Sequence, residues 1–182
     1  MNKPSATLSL VIAGLCIALC VVLPMAFHAV PNAGSVFSPM HIPVLLCGLI
    51  CGCPLGLLCG LLGPLLSSLI TGMPPQAYLP PMMVELAVYG LVTGLMMRFI
   101  RMGNLIFDLF FSLITAMLIG RVAAGLARAL IFAPGKLTMA AWASSYFVTS
   151  LPGIAIQLVF IPAIVIALEK AKLIPARYPS KT

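Results

Sequence analysis

The sequence predicts an all-α fold: a polytopic membrane protein with six transmembrane helices and cytoplasmic N- and C-termini. Three observations predict it. Of the 182 residues, 62% are hydrophobic and only 7% are charged, too few charges to cover the surface of a water-soluble domain. The apolar residues form runs separated by connections rich in Pro, Gly and Ser, which favour turns. The basic residues stand mainly at the ends of those runs.

The length of the chain sets the number of domains. A hydrocarbon core of about 30 Å takes roughly 20 helical residues per crossing, so residues 1–182 accommodate about six crossings with short connections. We therefore expect one integral membrane domain without a separate soluble domain. The net charge of +7 does not indicate a nucleic-acid partner, because the basic residues form no patch. The expected surrounding is the lipid bilayer.

The first two helices are predicted at residues 8–27 and 41–53. The first resembles a signal peptide, but further apolar runs follow it, so we interpret it as a retained helix. Pro24 bends or ends that helix near its far side. Pro43 lies in the first turn of the second helix, where its missing N–H costs little. The second helix is short for a crossing, so it is either tilted or begins inside the protein.

The remaining four helices follow a tight turn marked by Pro54. Pro152-Gly153 and Pro162 interrupt the last of them, and "EKAKLIPARYPSKT" follows as a polar tail. The predicted ranges are 55–70, 82–97, 105–130 and 143–168.

The distribution of lysine and arginine predicts the orientation. With a cytoplasmic N-terminus and six crossings, seven basic residues lie inside and two lie outside. This excess follows the positive-inside rule and places three connections, 28–41, 71–81 and 131–142, together on the outer face. The inner residues are Lys3, Arg98, Arg101, Lys170, Lys172, Arg177 and Lys181, and the outer ones are Arg128 and Lys136.

Cysteine and histidine residues could suggest a disulfide or metal site, but their placement does not. All six cysteines lie inside the first three apolar runs, so no disulfide framework is predicted. The "CGC" at 51–53 has no cluster of further ligands near it, so we interpret it as packing and predict no metal site. His28 and His41 flank the first outer connection, and two ligands are too few for a metal. We expect these histidines to form hydrogen bonds within that connection.

Small residues recur at four-residue intervals in two places. Gly48, Gly52, Gly56 and Gly60 have the spacing that lets helix backbones approach closely in lipid, and we interpret them as packing within the bundle. Gly14 and Ala18 have the same spacing on the first helix. That pair either packs internally or forms a docking face for a second membrane protein, and the sequence leaves both interpretations open.

Two ionisable residues lie well inside predicted spans. Glu85 is one or two turns below the outer end of the fourth helix, and Arg121 is in the outer half of the fifth. A charge near the bilayer centre costs about 2.5–3.5 kcal/mol or more, so both side chains should face the bundle interior. Two compatible interpretations remain: the residues pair to hold helices together, or one or both contact a polar ligand.

Other polar and aromatic residues are predicted near the same level. Tyr89 lies four residues after Glu85 on the same helical face, which favours a shared pocket. Trp142 is interpreted as an interfacial anchor. Gln157 lies deeper on the sixth helix and could contact a ligand or a neighbouring backbone. No Ser–His arrangement, pair of midplane aspartates or phosphate loop occurs in the sequence, so no enzyme is predicted.

One stretch has a layout of loop, short helix, Gly/Pro turn and helix: "FSPMHIPVLLCGLICGCPLGLLCGLLGPLLSSLITGMPP". The segment "MMVELAVYGLVTGLM" follows it and carries an acidic residue on the next helix. In this layout the chain resembles the substrate-binding S components of energy-coupling factor (ECF) transporters, which take up vitamins. The likeness in topology covers nearly the whole chain, and its specific part spans about residues 34–97.

The resemblance implies an extracellular-side ligand site built from helices four to six and capped by loops one, three and five. It also implies a smooth first helix that meets a transmembrane coupling subunit driven by two ATP-binding-cassette (ABC) ATPases. The usual docking motif is Ala-xxx-Ala. Gly14 and Ala18 have that spacing here, so the first alanine is absent. No cofactor is expected.

We therefore expect a high-affinity binding subunit for a vitamin or cofactor precursor in a bacterial plasma membrane. The polar and aromatic residues fit a pyridoxine-, pyrimidine- or benzimidazole-type compound, and pantothenate or niacin rank after these. Two alternatives stay open: a non-transport membrane scaffold or assembly factor in which Glu85 and Arg121 merely pair, and a stand-alone small-solute carrier. The expected substrate contacts are Glu85, Tyr89, Arg121, Asn32, Gln76 and Tyr146.

Overall fold

The architecture is that of a computed structural model, which describes residues 4–26, 33–132 and 138–178. These residues form α-helices and two π-helical segments, Arg128–Phe132 and Ser144–Val148, and contain no strand. The all-α prediction is confirmed for the described residues. The α-helices are α1 (Ala6–Ala26), α2 (Ala33–Phe37), α3 (His41–Cys51), α4 (Cys53–Thr71), α5 (Leu79–Phe99), α6 (Leu105–Ala127), α7 (Met139–Ala143) and α8 (Leu151–Lys170).

Five helical stretches among the described residues are long and apolar enough to cross a bilayer, which agrees with a multi-pass membrane protein. The second predicted crossing corresponds to α3, which has only 11 residues. At 1.5 Å per residue that is about 16 Å, roughly half of the hydrocarbon core. The six-span count and the cytoplasmic position of both termini therefore stay predictions. The five stretches are Ala6–Ala26, Cys53–Thr71, Leu79–Phe99, Leu105–Phe132 and Met139–Lys170.

Helices α3 and α4 form a hairpin that packs on α5. The chain reverses at Gly52, whose φ of 89° is one that residues with a side chain rarely adopt. A Cβ on Gly56 would meet the main chain of Gly90, and one on Gly60 would meet that of Leu86. Backbones that approach this closely pack well in lipid, where no hydrophobic drive brings helices together. The packing role predicted for the glycine repeat is confirmed for its helical members.

Helix α3 begins inside the bundle. Its first residue, His41, is buried, and the imidazole lies beside Glu85 of α5. Further along, Gly48 lies against Gly90 and Thr93, so α3 runs alongside α5 in the same direction. Its first residue lies level with Glu85, which comes six residues, or about 9 Å along the helix, after the residue at which α5 begins. This is one of the two arrangements expected from its length.

We call the end of the bundle at which α5 begins the top, and the end at which α5 stops the bottom. The residues after α8 fold back against the bottom, where Ile174 is buried and Arg177 donates a hydrogen bond to the main-chain oxygen of Met97. The sequence indicated only a polar tail here. The structure corrects that expectation, because the tail is packed as far as Tyr178.

Helix α1 packs one face on α3 and α4 and leaves the other uncovered. Gly14 and Ala18 lie on the exposed face together with Val11, Leu15 and Val22. A Cβ at Gly14 would meet no described atom within 4 Å. The interpretation that this pair packs internally is therefore wrong for the described chain. The buried face carries Ser9, Ala13, Cys16 and Cys20, and both thiols are free.

Candidate functional site

Four side chains meet in the upper half of the bundle and form what we call the upper cluster: His41, Glu85, Tyr89 and Arg121. One carboxylate oxygen, Oε1 of Glu85, is common to three contacts. It accepts a hydrogen bond from the Tyr89 hydroxyl at 2.8 Å, and it lies 3.5 Å from Nε2 of His41 and 3.8 Å from Nε of Arg121. Glu85 is 8% exposed and Arg121 is 3% exposed. The prediction that both charges face the interior is confirmed.

Three helices bring these side chains together. Glu85 and Tyr89 are four residues apart on α5 and therefore lie on one face. The Tyr89 ring packs against Gly120 of α6, where a Cβ would collide with it, and Arg121 is the next residue. His41, at the start of α3, turns its ring edge-on to Tyr89 with 5.4 Å between ring centroids. The absence of a side chain at Gly120 thus gives α5 and α6 the close approach that the cluster needs.

Aromatic residues from the segment before α8 surround Arg121. Its guanidinium carbon lies 5.6 Å from the centre of the Phe147 ring, within cation–π range. Trp142 donates its indole N–H to the main-chain oxygen of Arg121 at 3.4 Å and packs on Gly125. This indole thus turns towards α6, and its role as an interfacial anchor stays a prediction. Tyr146 is half-buried, with its ring centroid 6.4 Å from that of Trp142.

The ionic contacts in the upper cluster are long. Hydrogen bonds between charged groups are normally about 2.7–2.9 Å, and both His41 and Arg121 lie farther than that from Glu85. Among the described residues, the Arg121 guanidinium makes no hydrogen bond, although guanidinium groups carry several N–H donors. The ion pair is attractive at this distance, but the donors remain available. The arrangement can therefore bind an acceptor or an anionic group beside Glu85.

Gln157 of α8 extends the upper cluster to a fourth helix. It is fully buried, and its Nε2 donates to the main-chain oxygen of Ser38 at 3.3 Å. The same oxygen accepts the main-chain N–H of His41 at 3.0 Å. Oε1 of Gln157 and Nδ1 of His41 have no hydrogen-bond partner among the described residues. The expectation that the His41 side chain bonds within its connection is therefore wrong, because that side chain faces Glu85.

The structure brings three of the six predicted contact residues into the upper cluster: Glu85, Tyr89 and Arg121. Tyr146 lies beside Trp142, and Trp142 in turn contacts Arg121 of the cluster. Gln76 is exposed in the connection between α4 and α5. Asn32 lies outside the described residues, as does His28. The role of each as a ligand contact stays a prediction.

A second polar group, which we call the lower cluster, lies at the bottom and consists of Asp108, Glu169, Arg177 and Tyr178. Oδ2 of Asp108 accepts hydrogen bonds from Nε of Arg177 at 2.6 Å and from the Tyr178 hydroxyl at 2.7 Å. Oδ1 accepts the main-chain N–H of Met102 at 2.8 Å. Asp108 is fully buried in the first turn of α6, where the helix dipole also favours a negative charge.

Arg177 connects the ends of three helices. Its Nη1 donates to the main-chain oxygen of Met97 at 2.7 Å, and its Nη2 donates to that of Ile100. The carbonyls at a helix C-terminus lack partners within the helix, so the guanidinium caps α5. The main-chain N–H of Arg177 donates to Oε1 of Glu169 at 2.9 Å, near the end of α8. Together with Asp108, these contacts tie α5, α6 and α8 together.

Sequence reasoning did not identify the lower cluster or the position of His41. A signal for the lower cluster existed, because Asp108 is a carboxylate inside an apolar run and such a residue needs a partner. The partner could not be chosen from the sequence, since Arg177 is 69 residues away. For His41 the available signal was its place at the start of a short apolar helix.

Two cavities bordered by described residues lie at the bottom of the bundle. One, of about 450 Å³, separates the start of α1 from the end of α8 and is lined by Leu8, Glu169 and Lys172 among others. A smaller one, of about 30 Å³, lies between Ile50, Val165 and Arg177. Neither borders the upper cluster. No group of three or more His, Cys, Asp and Glu side chains in the described ranges could hold a metal ion.

A comparison with known families identifies the chain. The family model of the ECF transporter substrate-specific component matches residues 8–168. The match contains every residue of the upper cluster and ends before Arg177 and Tyr178 of the lower cluster. No curated protein matches the chain. The members of this family are subunits of transporters and not enzymes. With the apolar helices and most of its length matched, the chain belongs to the ECF transporter substrate-specific components, as a multi-pass membrane protein that binds a transported substrate.

Proposed function

We propose that this chain is the high-affinity substrate-binding subunit of an ECF-type importer for a vitamin or cofactor precursor in a bacterial plasma membrane. Its ligand binds at the upper cluster, with the top of the bundle facing outward. A transmembrane coupling subunit and two ABC ATPases complete the importer. The substrate is a small heteroaromatic compound of the pyridoxine, pyrimidine or benzimidazole type, with pantothenate and niacin as further candidates.

The observation that carries this proposal is the arrangement around Glu85. A buried carboxylate and a buried guanidinium lie 3.8 Å apart, beyond ordinary hydrogen-bond distance, inside a bundle that belongs to a family of substrate-binding subunits. Charges in such a place are costly and are a mark of a functional site. An acceptor group of a ligand between Arg121 and the aromatic rings would use the N–H donors of Arg121 that form no hydrogen bond with the described residues.

Binding at this site requires movement at the top. The upper cluster borders neither of the two cavities, its side chains are buried, and the segments around α2 and α7 are its neighbours in the sequence or through Trp142. We expect these segments to open for the ligand and to close over it, so that water is excluded and the desolvated hydrogen bonds select the substrate. Asn32 and Gln76, in the neighbouring connections, would contact the ligand in the closed state.

The experiment that tests the proposal begins with the full chain purified in lipid nanodiscs. Mass spectrometry of the compounds released on denaturation identifies a co-purified ligand, and thermal unfolding with pyridoxine, dimethylbenzimidazole, an aminopyrimidine, pantothenate and niacin tests each class. We expect one compound to raise the unfolding temperature. Arg121→Lys keeps the charge but loses the planar set of donors, so the affinity for that compound should fall at least tenfold. Arg98→Lys, at an exposed arginine, is the matched control and should bind as wild type does.

Two results would replace the proposal with an alternative. If no compound is released and none raises the unfolding temperature, the pair of Glu85 and Arg121 is structural and the chain is a scaffold. If cells that lack the coupling subunit and the ATPases still accumulate the ligand, the chain is a stand-alone carrier.

We assign docking of the coupling subunit to the exposed face of α1. Gly14 and Ala18 are exposed there, and no described atom occupies the space that a Cβ of Gly14 would fill. Smooth faces of this kind allow close helix packing in lipid. Ala18→Leu should abolish uptake driven by the coupling module and leave ligand affinity unchanged. Val122→Leu, at an exposed position on α6, should change neither. Normal uptake by Ala18→Leu would exclude this face.

A further inference from the structure

Two buried acceptors in the upper cluster are left without a donor. Oε1 of Gln157 and Nδ1 of His41 have no hydrogen-bond partner among the described residues, and both residues are at least nine-tenths buried. The two residues are neighbours, because the side chain of Gln157 and the main-chain N–H of His41 donate to the same oxygen of Ser38, at 3.3 Å and 3.0 Å. A buried polar group without a partner destabilises the fold, so a ligand that supplies the missing donor gains affinity there.

The neighbours of these residues fix which atoms donate and which accept. The main-chain oxygen of Ser38 only accepts, so the Gln157 atom that faces it is the NH₂ group, and the free atom is the carbonyl oxygen. A carboxylate also only accepts, so the His41 nitrogen that faces Glu85 is the one that carries hydrogen. In a neutral imidazole the other nitrogen is then an acceptor. Oε1 of Gln157 is therefore an acceptor, and Nδ1 of His41 is one in the neutral imidazole.

Arg121 offers hydrogen-bond donors, whereas Gln157 and His41 offer acceptors. Its guanidinium offers N–H donors and makes no hydrogen bond within the described chain, and its nearest carboxylate oxygen is 3.8 Å away. One part of the upper cluster thus requires a donor, and another requires an acceptor. Aromatic rings of Tyr89 and Phe147 lie beside these groups, which suits a flat molecule.

We infer that the substrate is a heteroaromatic compound with an N–H donor, as a ring N–H, an amino group or a primary amide, that binds Oε1 of Gln157 or Nδ1 of His41. Its other edge carries the acceptor that binds Arg121. This inference rests on the proposed function and narrows it. Among the substrate classes above, it favours the benzimidazoles with a free ring N–H, the aminopyrimidines and amide compounds, and it disfavours niacin, whose carboxylate is anionic and donates no hydrogen bond.

Matched pairs of probes test the inference on the wild-type chain. The pairs are benzimidazole with 1-methylbenzimidazole, 4-aminopyrimidine with 4-(dimethylamino)pyrimidine, and nicotinamide with N,N-dimethylnicotinamide. In each pair the second compound keeps the ring but has lost the N–H donor. We expect at least one donor compound to bind, measured by calorimetry in nanodiscs, and its methylated partner to bind about tenfold or more weakly. This comparison needs no variant of the protein.

Gln157→Met adds a test of the residue itself, because methionine has a similar length and lacks the carbonyl acceptor. This substitution should weaken binding of the donor compound about tenfold and change the affinity for its methylated partner less than twofold. Ser112→Ala is the control. The Ser112 hydroxyl is equally buried and also lacks a partner in the described chain, but it precedes Arg121 by nine residues, or about 13 Å along α6. It should leave both affinities unchanged.

The outcomes separate the inference from the function on which it rests. If the chain binds a ligand, but methylated and unmethylated probes bind equally or the released compound has no N–H donor, the inference is wrong and the proposed function stands. Equal binding of the donor compound by Gln157→Met and wild type would remove Gln157 from the site. If no probe binds and no compound is released from the purified chain, the proposed function fails and the inference fails with it.

Discussion

The upper and lower clusters place the same kinds of charge in the same bundle in opposite ways. In the lower cluster, both oxygens of Asp108 accept hydrogen bonds of 2.6–2.8 Å, and the Arg177 guanidinium reaches a carboxylate and two main-chain carbonyls. In the upper cluster, Glu85 and Arg121 are 3.8 Å apart. Nδ1 of His41, which lies beside Glu85, and Oε1 of Gln157 are buried and have no hydrogen-bond partner among the described residues.

The two clusters show how a structural ion pair differs from a binding site in a membrane bundle. A buried pair stabilises only when further hydrogen bonds satisfy its remaining donors and acceptors, and the lower cluster meets that condition. The upper cluster does not meet it among the described residues. Both Glu85 and Asp108 are buried carboxylates, so burial does not distinguish a structural role from a binding role. The number of hydrogen bonds that each carboxylate and its arginine form does distinguish them.

The largest effect on stability is expected when the lower cluster loses its charges. Asp108→Asn with Arg177→Met removes the ion pair and also leaves the carbonyls of Met97 and Ile100 without their donor. Hydrogen bonds to charged groups contribute about 1.5–3 kcal/mol each, so the unfolding free energy should fall by at least about 3 kcal/mol. Unfolding by denaturant titration in mixed micelles measures it. A loss below about 1 kcal/mol would show that the tail is not held by this cluster.

The equivalent change in the upper cluster should act on affinity and not on stability. Glu85→Gln with Arg121→Met removes both charges, and replacing a buried pair together is often neutral or stabilising. We expect the unfolding free energy to stay within about 1 kcal/mol of wild type. Ligand affinity should fall by about 100-fold or more, since charged contacts to the ligand are lost. Wild-type affinity in this double variant would remove the distinction between the two clusters.

A smaller effect is expected from Gly120→Ala. The added methyl group would collide with the Tyr89 ring, and overpacking of this kind costs about 1–3 kcal/mol. The displaced ring would also weaken ligand binding. Gly14→Ala is the control, because no described atom lies within 4 Å of its Cβ position, and alanine raises helix propensity. Thermal unfolding compares the two, and equal stability would contradict the close contact of α5 with α6.

The smallest effect is expected from Tyr178→Phe. It removes one hydroxyl that donates to Asp108 at 2.7 Å and accepts from the main-chain N–H of Gly103 at 3.2 Å. One such loss costs about 1 kcal/mol, and affinity for the ligand should not change. Unfolding by denaturant titration and calorimetry measure the two quantities. Reduced affinity would show that the bottom of the bundle is coupled to the site.

The sequence predicted the features that depend on local patterns. Burial of Glu85 and Arg121 followed from the cost of charge in lipid, and the shared face of Glu85 and Tyr89 followed from helical spacing. The start of α3 inside the bundle was one of two predicted arrangements. Features that depend on residues far apart in the sequence were not predicted. The pairing of Gln157 with Ser38 spans 119 residues, and that of Asp108 with Arg177 spans 69, so no periodicity or motif connects them.

The most direct test of the central claim is a structure of the chain with its ligand, determined by electron cryomicroscopy with a rigid binding partner or by crystallography. We expect density for the ligand between the helices at the upper cluster. A polar atom of the ligand should lie within about 3.2 Å of the Arg121 guanidinium, while the lower cluster keeps its present contacts. A ligand bound away from Glu85 and Arg121, with the contacts of that pair unchanged, would show that the upper cluster is not the substrate site.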